Sequence, residues 1–84
     1  MVVKLKSIFK SLDQAFDKRN NKDVEEMLRK LAGYTRRELE EEIETMSSAD
    51  WMFLDGKLIG LDDCEDRNIN LTKELILDIF SMID

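Results

Sequence analysis

The sequence predicts a mainly α-helical domain with one small β-hairpin, in the order α-α-α-β-β-α. Apolar residues recur at helical spacing in four segments, and the pair Asp55-Gly56 lies between two apolar runs. The composition agrees, since it contains no proline and only three glycines. A chain of 84 residues has room for a single domain, which we assign to residues 1–84.

The first two helices are predicted from apolar stripes. We expect the first over about residues 2–18, ended by Asn20-Asn21, and the second to follow at once and run to about Leu31. The residues that carry the two stripes are Leu5, Ile8, Phe9, Leu12 and Phe16 for the first helix, and Val24, Met27, Leu28 and Leu31 for the second.

The third helix has the clearest start signal in the chain. Thr35 and Glu38 have the spacing of a capping box, in which a hydroxyl and a carboxylate each accept a hydrogen bond from a free backbone amide. Leu39, Ile43 and Met46 form the apolar stripe that follows. Only residues 32–35 separate this helix from the second one, so we expect a tight corner between them.

The hairpin is predicted from Asp55-Gly56, the usual sequence of a two-residue type I′ turn. The flanking strands are residues 51–54 and 57–61. Pairing them places Trp51, Phe53 and Leu58 on one face and Met52, Leu54 and Ile59 on the other, outer face. A last amphipathic helix is expected from about Asn70 or Thr72 to the end of the chain.

This arrangement resembles a winged helix-turn-helix domain over residues 22–61. Leu31–Thr35 supplies the corner, Thr35–Met46 the "recognition" helix and Trp51–Leu61 the wing. The resemblance implies DNA binding, with the third helix in the major groove. The sequence departs from the family pattern in two places: residues 20–22 offer no short strand before the second helix, and the recognition helix is rich in glutamate.

The distribution of charge opposes DNA binding by that helix. The net charge is −6, and residues 23–84 carry seventeen acidic and seven basic residues, whereas residues 1–22 carry two acidic and six basic residues. A helix in the major groove lies between two rows of phosphates and contacts them through Arg, Lys, Asn and Gln. Here it would carry five glutamates, which are Glu38, Glu40, Glu41, Glu42 and Glu44.

The sequence offers little material for catalysis. It contains no histidine, which is the commonest general base and transition-metal ligand, and no glycine-rich phosphate-binding motif. The single Cys64 lies among Asp62, Asp63, Glu65 and Asp66, which disfavour its thiolate. We therefore expect no enzyme, no cofactor and no metal. One unpaired cysteine and no membrane-spanning run indicate a cytoplasmic protein without a membrane partner.

The function that we infer from the sequence is that of a protein-binding module. An acidic domain of this kind would regulate or inhibit a larger protein, for example a nucleic-acid-binding one, as the small acidic inhibitors of phages and plasmids do. The candidate contact residues are Glu38, Glu41, Glu42 and Glu44 on the third helix and Met52, Leu54 and Ile59 on the outer face of the hairpin. A merely solvated glutamate face is the other interpretation.

The alternative is a DNA-binding transcriptional regulator that acts as a homodimer. It would use the basic first helix together with Arg36, Arg37 and Lys57.

Overall fold

The computed structural model describes residues 3–83, and within this range the protein has five α-helices and no strand. Residues 1, 2 and 84, including the predicted first residue of the first helix, lie outside the described range. The helices are α1 (Val3–Asp17), α2 (Asn21–Leu31), α3 (Arg36–Thr45), α4 (Ser48–Ile59) and α5 (Arg67–Met82).

The corner between α1 and α2 is made by a left-handed residue and a helix cap. Arg19 has a φ of 56°, which turns the chain after α1 ends. Asn20 then caps α2, because its Oδ1 accepts a hydrogen bond from the Asp23 amide at 3.2 Å. The turn brings α2 back against α1, and the two pack together.

The capping box of α3 is confirmed. The Thr35 hydroxyl accepts a hydrogen bond from the Glu38 amide at 3.2 Å, and Glu38 Oε1 accepts one from the Thr35 amide at 2.9 Å. Leu39 and Ile43 of the same helix are fully buried. The sequence therefore predicted both the start of α3 and its buried side.

The predicted β-hairpin is wrong, and with it the fold class. Residues 48–59 form α4, which Ser47 caps by accepting a hydrogen bond from the Asp50 amide at 3.3 Å. A type I′ turn needs positive φ angles at Asp55 and Gly56, and neither residue has one. The described part of the chain is thus all-helical, and it lacks the wing that the resemblance to winged-helix domains implied.

Helical spacing on the buried side of α4 explains why this segment is a helix. Leu54 and Leu58 are fully buried, and the half-buried Trp51 stacks on Phe80 of α5 with ring centroids 5.7 Å apart. Spacings of three and four residues place these side chains on one side of a helix, whereas a strand would divide them between two faces. As a helix, the segment can bury all three side chains in the same core.

Helix α5 lies at the centre of the domain. It packs against α2, α3 and α4, whereas α1 packs most extensively against α2. Aliphatic and aromatic side chains of all five helices form one buried cluster. Its largest fully buried members are Leu12, Leu28, Leu31, Leu39, Ile43, Leu54, Leu58, Ile69, Ile76 and Ile79.

The loop between α4 and α5 is fastened to α5 by two side chains. Asn70 accepts a hydrogen bond from the Cys64 amide at 2.9 Å and donates one to the Cys64 carbonyl. Lys73, whose side chain is only 10% exposed, donates to the Leu61 carbonyl at 3.2 Å and to Asp63 Oδ1 at 2.9 Å. Asp63, one of the acidic residues of this loop, therefore has a structural role.

Asp66 ends this loop and caps α5, which begins earlier than the predicted Asn70 or Thr72. Its carboxylate accepts a hydrogen bond from the Asn68 amide at 2.9 Å and pairs with Arg29 of α2 at 3.1 Å. The hydrogen bond first and the guanidinium second hold the pKa of Asp66 below its ordinary value.

We expect Thr35→Ala to lower the free energy of unfolding by about 1 kcal/mol, since it removes the hydroxyl that caps α3. Urea denaturation followed by circular dichroism measures this loss. Thr45→Ala is the matched control, because the Thr45 hydroxyl donates to the Glu42 carbonyl at the other end of α3 and caps no amide. Equal losses for the two variants would contradict the role of the capping box.

Candidate functional site

The candidate glutamates of α3 do not form one uniform surface. Glu38 is exposed but serves the capping box, and Glu41 is exposed and pairs with Arg37 at 3.5 Å. Glu44 is exposed, whereas Glu42 is half-buried. Intrahelical pairs of this kind are common on solvated helices and contribute little. The outer side of α3 therefore fits a solvated face at least as well as a binding surface.

Glu42 lies in a cleft where α1 meets the end of α3 and the start of α4. The cleft has a volume of about 380 Å³, and the Oε1 atom of Glu42 is buried there with no hydrogen-bond partner among the described residues. Its lining combines an apolar floor with charges of both signs, and it consists of Lys6, Phe9, Lys10, Asp13, Glu42, Thr45, Met46, Ser47, Asp50 and Leu54.

The surroundings in this cleft shift the pKa of Asp13. Burial raises the pKa of Asp13 above its ordinary value, and the nearby carboxylates of Asp50 and Asp17 raise it further. The native state thus binds the proton of Asp13 more tightly than the unfolded chain does. The resulting stability is present below the ordinary pKa of 3.8 and is lost as the pH rises through the raised native value.

We therefore expect Asp13→Asn to stabilise the protein at about pH 7 by roughly 0.5 kcal/mol, because it removes an ionised carboxylate from beside like charges. The gain should shrink towards about pH 3, where Asp13 is protonated in both states. Urea denaturation at several pH values measures the difference. Glu26→Gln, which removes an exposed carboxylate from α2, is the control. A gain in stability that does not depend on pH would contradict a raised pKa of Asp13.

The outer side of α4 is an apolar surface against which no other helix of residues 3–83 packs. Met52 is 60% exposed, Phe53 38% and Ile59 67%. Their spacing places them on one side of the helix, around Gly56. The Lys57 ammonium lies 5.4 Å from the centroid of the Phe53 ring, at one edge of this side. We call the surface formed by Met52, Phe53, Gly56 and Ile59 the α4 face.

The α4 face keeps two of the three apolar contact residues proposed from the sequence. Met52 and Ile59 belong to it, whereas Leu54 is only 1% exposed and lies in the core. Leu54 therefore drops out of the candidate surface, because the hairpin pairing that put it beside Met52 does not exist. Phe53 was missed for the same reason, and the helical spacing from Met52 and Phe53 to Gly56 and Ile59 would have revealed it.

We also searched residues 3–83 for a metal site, a reactive cysteine and a membrane-spanning helix. No group of three or more Cys, Asp or Glu side chains in this range could hold a metal ion. Cys64 is half-buried, and its Sγ accepts a hydrogen bond from the Asp66 amide at 3.3 Å. None of the helices described is long and apolar enough to cross a membrane.

No family model, curated protein or solved structure matches this chain. The resemblance to winged-helix domains thus stays a prediction for the corner between α2 and α3, whereas the predicted wing is wrong because Ser48–Ile59 form a helix.

Proposed function

We propose that this chain is a non-enzymatic, acidic protein-binding module that regulates or inhibits a larger protein in the cytoplasm. The observation that carries the proposal is the exposure of Met52, Phe53 and Ile59 on one side of α4. Contiguous apolar patches on small domains are typical of sites that bind another protein. Large apolar side chains at the centre of such patches supply most of the binding energy.

The core does not need these side chains. Trp51 already stacks on Phe80 of α5, and Leu54 and Leu58 are buried in the shared core. Met52, Phe53 and Ile59 are left exposed on the other side of α4. The second side is therefore available to a partner.

The charge of the chain supports a partner with a basic surface. At a net charge of −6 the protein is repelled by nucleic acids and attracted to the proteins that bind them. A nucleic-acid-binding protein is therefore the class of target that we favour. The unpaired Cys64 fits a reducing compartment.

DNA binding by α1 is the alternative. Lys6, Lys10 and Lys18 are exposed, as are Arg19 and Lys22 around the corner to α2. They form a basic region that could contact phosphates without base recognition.

The double variant Met52→Gln/Ile59→Gln tests the proposal. Both positions are exposed, so we expect stability to change by less than about 0.5 kcal/mol, as judged by urea denaturation. The protein is immobilised on beads and incubated with a lysate of the cells in which it naturally occurs. The variant should no longer capture the proteins that the wild type captures and that cross-link to α4. Quantitative mass spectrometry measures the loss.

The matched control is Leu71→Gln/Met82→Gln, which removes two other exposed apolar side chains, both on α5. It should capture the same proteins as the wild type. Equal capture by both double variants would contradict a role for the α4 face. Binding to a random DNA duplex at low salt that Lys6→Ala/Lys10→Ala abolishes would favour the alternative function.

A further inference from the structure

Two of the methionines in residues 3–83 are exposed to solvent. Met52 on the α4 face is 60% exposed and Met82 at the end of α5 is 66% exposed, whereas Met27 and Met46 are half-buried against the core. Peroxides oxidise the thioether sulfur of methionine to a sulfoxide, and they must reach the sulfur through solvent. Exposure alone would therefore make Met52 and Met82 about equally reactive.

The sulfur of Met82 differs from that of Met52 because a guanidinium contacts it. Arg36 of α3 donates a hydrogen bond from Nη2 to Met82 Sδ at 2.9 Å. The other two nitrogens of this guanidinium are also paired, Nε with Glu40 at 3.0 Å and Nη1 with Asp78 at 2.7 Å. Since the guanidinium is a rigid plane, these two ion pairs orient its third nitrogen towards Met82.

The contact with Arg36 bears directly on the chemistry of oxidation. A lone pair of the thioether sulfur attacks one oxygen of the peroxide, the O–O bond breaks, and hydrogen peroxide is reduced to water as the sulfoxide forms. A donor on the sulfur lowers its nucleophilicity and must be displaced first. Within residues 3–83, Met82 is the methionine whose sulfur accepts a hydrogen bond.

We propose that Met52 is the methionine at which peroxides modify this domain, and that Arg36 protects Met82 from the same reaction. The product is methionine sulfoxide, which is polar where the thioether is apolar. Modification at Met52 therefore reduces the apolar surface of the α4 face. The preference for Met52 is independent of the proposed function, whereas an effect on partner binding rests on it.

Hydrogen peroxide at low concentration is the probe, and peptide mass spectrometry measures the rate of sulfoxide formation at each methionine. We expect Met52 to react roughly threefold faster than Met82 or more, the factor that one hydrogen bond accounts for. Arg36→Ala should remove this difference by speeding the reaction at Met82, and the rate at Met52 should stay as it is.

Arg37→Ala is the matched control for charge. It removes the same charge at the next position of α3, where Arg37 pairs with Glu41 at 3.5 Å. Met82 should react in this variant at the wild-type rate. Amide hydrogen exchange at the end of α5 should be the same in Arg36→Ala and Arg37→Ala, which separates protection of the sulfur from fraying of the helix.

Three results would overturn the inference. The first is equal reactivity of Met52 and Met82 in the wild type, and the second is the same increase at Met82 in both arginine variants. The third is a faster reaction at Met82 in Arg36→Ala that is accompanied by faster amide exchange at the end of α5, because fraying would then explain the change.

The effect of the modification on the α4 face is measured separately, by repeating the capture experiment with peroxide-treated protein. Treated wild type should capture less of the proteins that cross-link to α4. Treated Met52→Leu should capture as much as before treatment, since leucine has no sulfur to oxidise. If Met52 reacts first but capture does not change, the inference about its reactivity holds and the proposed role of the α4 face fails.

Discussion

The packing of α5 against three other helices is the constraint on which the rest of the structure depends. Helices α2, α3 and α4 each bury one side against it, and α1 packs mainly on α2. Because Trp51 stacks on Phe80, the orientation of α4 about its own axis is set by this contact. That orientation directs Met52 and Ile59 into solvent. The candidate site is therefore a consequence of how the core is filled.

Most of the helical part of the fold could be predicted from the sequence. Helices α1, α2, α3 and α5 each have a polar side and an apolar side, so periodicity alone distinguishes them from strands. The capping box also predicted where α3 starts, because Thr35 and Glu38 interact with each other's backbone amides and need no other part of the chain. These signals depend on residues that are close together in the sequence, so tertiary contacts change little of what they predict.

The fourth helix could not be predicted in the same way, because it is apolar on both sides. Periodicity carries little information in such a segment, and Asp55-Gly56 then favoured a turn. Tertiary packing decides between helix and hairpin here, because Leu54 and Leu58 are both buried in the core when the segment is helical. Ser47 and Asp50 have the spacing of a helix N-cap and the amide that it binds, a local signal that was missed. Met52 and Ile59 were nevertheless placed on an exposed face, because both conformations expose them.

The fastening of the loop after α4 affects how a partner would be bound. Asn70 and Lys73 hold this loop against α5, and Ser47 caps the helix at its other end, so α4 is anchored at both termini. A surface fixed in this way has little conformational freedom left to lose when a ligand arrives. Association would then occur close to lock-and-key, with the entropic cost falling mainly on the partner.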